Sequence, residues 1–173
     1  MSVNNWITFH HRSAETLDYN RIWAVYKEGF GVWSSDYWLG LEKLYRMTSQ
    51  GTWRLRIEMK KLSSGDWVST EYDNFKVDSE ALGYALHVST YWYGNLHNII
   101  TGQNGAKFST RNKDNDDWSE GACSLEDNLG GFWYGNCYMF CLTCVRGSSY
   151  SYRLAADDTL IKIGRSNMMM RQL

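Results

Sequence analysis

Phe108 to Cys144 reads FSTRNKDNDDWSEGACSLEDNLGGFWYGNCYMFCLTC. Asn112, Asp114, Asp116 and Asp117 form a carboxylate-rich turn, followed by Cys123, a Gly-Gly-Phe-Trp-Tyr block, Cys137 and the pair Cys141 and Cys144. Oxygen ligands, cross-link candidates and aromatics at this density, with no hydrophobic period, point to a binding site built on loops and held by staples. Alternating oxygen side chains on a tight turn can converge on a hard cation such as Ca²⁺, the alternative being a solvated acidic turn. The turn is not an EF-hand. Counting from Asn112, Asp117 stands where that loop needs Gly, and Cys123 where it needs Glu.

Around this stretch the chain has 173 residues, enough for one domain with a real core. Hydrophobic residues make up 43% and the net charge is −1, which argues against disorder and against a nucleic-acid-binding field. Nine Trp and twelve Tyr bring aromatics to 16%, a bias that suits a loop-rich recognition fold. No apolar run is long enough to span a bilayer, so membrane insertion is not predicted. The start, MSVNNWITFHH, lacks a basic region followed by an apolar one, so no signal peptide is predicted in this chain.

Working outward, Trp6 to Phe9 reads as a short strand. A helix follows, with Asp18 as N-cap, Leu17, Ile22, Trp23 and Tyr26 as its apolar stripe and Gly29 as its end. A second helix is predicted from about Tyr37 to Met47, with Trp38, Leu41, Leu44 and Tyr45 on one face and Gly51 beyond it. Trp53 to Met59 alternates cleanly and is the clearest strand. Trp67 to Thr70 and Tyr72 to Val77 continue a meander, Tyr84 to Trp92 gives another strand, and Thr159 to Ile163 leads into SNMMMR as a closing strand whose methionines fill the core. Helices first, then hairpin-linked strands, then an irregular region: the fold class is α+β.

Five blocks in series, RIWAVYKEGFG (21–31), DYWLGLEKLYRMTSQGTWRLRIEM (36–59), YDNFKV (72–77), GAKFSTRNKDND (105–116) and GGFWYGNC (130–137), resemble the fibrinogen C-terminal domain. That module is shared by fibrinogen, ficolins, tachylectins and angiopoietin-like proteins. The resemblance runs from Trp6 to Cys144, with an echo in NMMMRQL. It implies a single domain over 1–173: a helix and sheet core at 1–104, a loop-rich calcium and ligand region at 105–158 and a closing strand at 159–173. The family's N-terminal cysteine-paired subdomain is not matched, and the 145–158 segment is shorter than the family's.

The family's calcium loop maps onto the carboxylates of Asp114 and Asp116 and the main-chain carbonyls of Trp118 and Gly121, with Gly121 preferred to Glu120 across a one-residue insertion. Its disulfide maps onto Cys123 and Cys137, a closure of ~15 residues that would contribute ~3 kcal/mol in the chain-entropy model and argues for an oxidising compartment. Its glycan pocket maps onto Asn136, Cys137 and Tyr138, with Tyr134 as wall or core, and Asp127 matches an acidic residue that contacts the ligand amine in the peptide-binding fibrinogen members. The resemblance implies a cis peptide at Asn136–Cys137; Tyr138 replaces a family His, and Tyr150 and Tyr152 are candidates to rebuild the shortened wall. Cys141 and Cys144 depart from the family's turn. A local or intermolecular disulfide leads, ahead of a zinc site or a redox pair.

No nucleophile elbow, HExxH, Walker or Rossmann pattern is present, so an enzyme is not predicted. His10 and His11 point to opposite faces of a strand and make a poor chelating pair, and His87 and His97 are isolated. Two functions follow from the resemblance. One is a secreted, calcium-dependent lectin of the innate-immune type that reads acetylated carbohydrate. The other is an angiopoietin-like module that binds an extracellular protein through exposed aromatics, its pocket vestigial. Weak sites of either kind gain strength by homo-oligomerisation.

Overall fold

The computed structural model describes residues 2–3, 5–13, 17–89, 91–96, 98–137, 140–144, 150–153 and 160–173. In chain order the elements are β1 (Ser2–Val3), β2 (Trp6–Arg12), α1 (Trp23–Glu28), β3 (Phe30–Gly31), β4 (Tyr37–Trp38), α2 (Leu41–Thr48), β5 (Trp53–Lys61), β6 (Trp67–Tyr72), β7 (Lys76–Val77), β8 (Leu86–His87), β9 (Tyr91–Gly94), β10 (Phe108–Ser109), β11 (Phe132–Trp133), β12 (Tyr150–Arg153) and β13 (Leu160–Gln172). The main sheet runs β3-β4-β2-β13-β5-β6-β9, antiparallel throughout, and makes the α+β fold.

The closing strand turns out to be central. β13 lies between β2 and β5, pairing Met168 with His10 on one side and with Ile57 on the other. Met168 and Met170 are buried, in line with Leu55, Ile57 and Met59 of β5, while Asn167 and Met169 turn to the other face beside Glu58 and Arg56. A period of two therefore sorts the sheet into an inner apolar face, covered by the helices, and an outer polar face.

Both helices are shorter than their apolar periods. Asp18 is not the N-cap of α1, a position held by Ile22. The Asp18 carboxylate instead accepts the N–H of Asn20 at 2.8 Å, a local turn that competes with helix. Tyr37 and Trp38 belong to β4, not to α2, because Gly40 (φ 117°) breaks the chain direction between them. The predicted strand 84–92 is divided: Tyr84 is left-handed (φ 49°), β8 pairs with β7, and only β9 joins the main sheet. In between, the N–H of Ser89 donates to the carbonyl of Asp73 and that of Val88 to Asn104, so these backbone groups are satisfied outside a ladder.

The inner face packs onto an aromatic cluster that also underlies the acidic stretch. The Trp38 ring stands 5.5 Å from Tyr26 and 5.7 Å from Phe108, and Phe108 stands 5.2 Å edge-on to Trp133. Each indole N–H has a carbonyl: Trp38 reaches Tyr26 at 3.1 Å and Trp133 reaches Tyr84 at 2.8 Å. Burying such side chains contributes roughly 1.5–3 kcal/mol apiece, so the irregular region shares the sheet's core. Among the described residues no helix is long and apolar enough to cross a membrane.

Candidate functional site

β10 and β11 pair as a short ribbon, and the acidic turn leaves from its end. Asn115 pins that exit: its N–H donates to Ser109 Oγ at 2.9 Å and its amide to the carbonyl of Phe108 at 2.8 Å. The turn is then wound on its own carboxylates. Asp114 Oδ1 accepts the N–H of Asp116 at 3.2 Å, and Asp116 accepts those of Trp118 at 3.0 Å and Cys123 at 2.9 Å. Gly121 lies flat against the Trp118 indole, where an added Cβ would meet ring carbons at 2.5 Å. Its N–H is 3.5 Å from the Trp118 carbonyl.

Neither Asp114 nor Asp116 has a basic partner within salt-bridge distance among the described residues. Burial, and then the neighbouring Asp114 carboxylate, push the Asp116 carboxyl above its usual range. Two negative groups are thus held together with carbonyls nearby, which suits a hard cation with oxygen ligands. Among the described residues no cluster of three or more His, Cys, Asp or Glu side chains could hold a metal, so main-chain oxygens would have to complete the shell.

Cys123 is bridged to Cys137, their Cα atoms 5.0 Å apart. Cys141 is bridged to Cys144 within the same chain, at a Cα separation of 5.5 Å, so the intermolecular alternative is set aside. Both sulfurs of the second bridge surround the Tyr134 hydroxyl, at 3.5 and 3.2 Å, and that hydroxyl also donates to the Gly130 carbonyl. Tyr134 is fully buried and is a core residue, not a pocket wall. Just before it, Gly131 packs directly on the aromatic cluster, where an added Cβ would lie 2.8 Å from the rings of Phe108 and Tyr26.

The expected cis peptide at Asn136–Cys137 is absent; the bond is trans. The chain reverses instead through Cys137 in the left-handed region (φ 52°), with its carbonyl accepting the Gly135 N–H at 3.2 Å. A trans peptide avoids the ~3 kcal/mol of a non-proline cis bond. Asn136 is exposed beside the disulfide, Asp127 sits in a 3-10 turn over Cys123–Asn128, and Tyr138 lies outside the described residues.

Two features escaped the sequence. One is a recess of about 320 Å³ behind the acidic turn, lined by Asn20, Ile22, Arg111, Asn112, Ser124 and Leu125. The other is a groove on the outer face of the sheet. Both assemble residues far apart in the chain, and no local motif marks either.

A family model of the C-terminal globular domain of fibrinogen beta and gamma chains matches residues 1–160. The chain is 31% identical to Protein scabrous of Drosophila melanogaster over 99% of its own length and 21% of that protein's, so it spans about a fifth of this relative. In structure it is similar to the fibrinogen-like globe domain of human ANGPTL2, with a TM-score of 0.84 and 31% identity over 96% of this chain and 80% of that one. It is also similar to lamprey fibrin D-dimer complexed with the peptide ligand Gly-His-Arg-Pro-amide (TM-score 0.83, 26% identity, 99% of this chain and 63% of that one).

Proposed function

This chain belongs to the fibrinogen C-terminal domain family, whose members are binding modules and not enzymes, and from that premise we propose that it is an extracellular, calcium-binding recognition domain that reads acetylated carbohydrate. The observation that carries the reading is the pairing of Asp114 and Asp116 on one turn, with no cationic partner within salt-bridge distance among the described residues. Their carboxylates, with the carbonyls of Trp118 and Gly121, would hold Ca²⁺, and the ion would neutralise the turn and fix the loop. Asp116 also carries the N–H of Cys123, so the same carboxylate couples the cation site to the bridge that presents Asn136 and Cys137. Two disulfides favour an oxidising, extracellular setting. Titration with N-acetylglucosamine, with Ca²⁺ and with EDTA, tests the reading: binding only with the ion supports it, and indifference to acetylated sugar removes it.

A second reading has its own observation. With Tyr134 in the core, one aromatic is lost from the glycan wall, while Trp33, Trp67, Trp92 and Tyr93 are exposed elsewhere. A module that binds an extracellular protein through these aromatics fits that distribution. It would keep calcium as a fold-stabilising ion and ignore the sugar.

A further inference from the structure

The groove on the outer sheet face measures about 730 Å³, within the ~300–1,000 Å³ range of small-molecule sites. Its floor is a hydrogen-bonded row of side chains crossing three strands. His11 Nδ1 on β2 lies 2.5 Å from Asn167 Oδ1 on β13, and Asn167 Nδ2 donates to Glu58 Oε2 on β5 at 3.5 Å. Arg56 donates to the other oxygen of Glu58 at 2.7 Å and pairs with Glu71 beyond it. Trp33, 65% exposed at the β3–β4 turn, stands over Tyr37 on one side of the groove, with ring centroids 4.7 Å apart. Trp6 also lines the groove, one face covered by the Arg171 guanidinium at 4.7 Å.

From this lining we infer a second binding site, for a neutral oligosaccharide. The aromatic faces match the apolar C–H face of a sugar ring. The amide, carboxylate, guanidinium and imidazole of the floor offer the paired donors and acceptors that vicinal hydroxyls require. These groups already hold one another in place, so little side-chain freedom is lost when a ligand arrives. Among the described lining residues the full charges are Arg56 and Glu58, which pair with each other, while Arg171 lies over the Trp6 ring outside that lining, so the floor itself carries no excess charge to select an anionic ligand. An extended peptide added as a strand is disfavoured too. β2, β13 and β5 are interior strands, and their backbone groups are already paired on both sides. The site shares no residue with the acidic turn or its disulfide and stands independently of the calcium reading.

The test uses the whole chain, labelled with ¹⁵N at the tryptophan indoles, and two neutral non-acetylated probes, cellotetraose and maltotetraose. At least one probe at millimolar concentration is expected to shift the Trp33 and Trp6 indole signals, with or without EDTA. Trp33→Ala, an exposed position, should weaken that binding by ~10-fold or more without changing the melting temperature, while Trp33→Phe should keep part of it. Three results would overturn the site: no Trp33 shift with either sugar, full affinity in Trp33→Ala, or tighter binding of a heparin tetrasaccharide than of both neutral probes. Asp114→Asn should leave this binding intact while removing calcium binding, so the two sites fail separately.

Discussion

The backbone N–H of Cys123 donates to Oδ2 of Asp116 at 2.9 Å, while Oδ1 of the same carboxylate accepts the N–H of Trp118 at 3.0 Å. One side chain therefore ties the acidic turn to the half-cystine that closes the loop. Asp116→Ala would strand two backbone donors and should cost roughly 1–3 kcal/mol in calcium-free urea denaturation. Asp114→Ala loses one local hydrogen bond but relieves repulsion on Asp116, and should be close to neutral under the same conditions. Equal costs for the two variants would contradict the assigned roles.

The pH response of this pair should change sign with calcium. Burial and Asp114 raise the Asp116 carboxyl pKa, so the native state holds that proton more tightly than the unfolded chain does. Without calcium, stability from this group should therefore rise as pH falls through the raised native pKa towards the ordinary Asp range. Cation binding needs both carboxylates ionised, so the stabilisation by Ca²⁺ should fade over the same interval. Melting temperatures with EDTA and with Ca²⁺, from pH 7 down into the carboxylate range, check both slopes.

His10 should act in the opposite direction. It is fully buried between Tyr19 and Trp38, bonds Ser166 through Nε2 at 3.2 Å, and has no partner for Nδ1 among the described residues. Burial, then the nearby Arg12 and His11, hold its pKa well below 6.5. The unfolded chain takes up this proton first, so stability is present above the unfolded value and is lost as pH falls through it towards the lower native value. Chemical denaturation between pH 7.5 and the lower end of that window should show the loss in the parent, and a flatter profile in His10→Gln.

The two bridges should differ in weight. In the chain-entropy model, closing ~15 residues between Cys123 and Cys137 contributes ~3 kcal/mol, and closing ~4 residues between Cys141 and Cys144 contributes ~2 kcal/mol. Paired Cys→Ala variants measured in urea should keep that order. Cys141→Ala with Cys144→Ala also removes the sulfurs around the Tyr134 hydroxyl, so Tyr134→Phe should cost less in that background than in the parent.

Much of the fold was legible because period-two alternation survives in β5 and β13, and ordered blocks such as YKEGFG and FSTRNKDND carried the family. The errors have local causes. Tyr37 and Trp38 are apolar in a helical period, yet Gly40 ends their extension and tertiary pairing with β2 makes them a strand. The sequence leaves Tyr134 open between wall and core because local spacing does not fix which way its side chain turns, and it is fully buried. The acidic turn was legible as a turn since Asn112, Asp114, Asp116 and Asp117 lie close together in the chain. The outer groove was not, because His11, Glu58 and Asn167 meet only through strand order.

Calcium titration of the whole chain, followed by isothermal calorimetry and melting temperature, bears most directly on the central proposal. One site with a Kd of the order of 10⁻⁴–10⁻³ M, a rise in melting temperature, and loss of both in Asp114→Asn and Asp116→Asn are the predicted results. An unchanged melting temperature at saturating Ca²⁺, or binding that survives both substitutions, would contradict it.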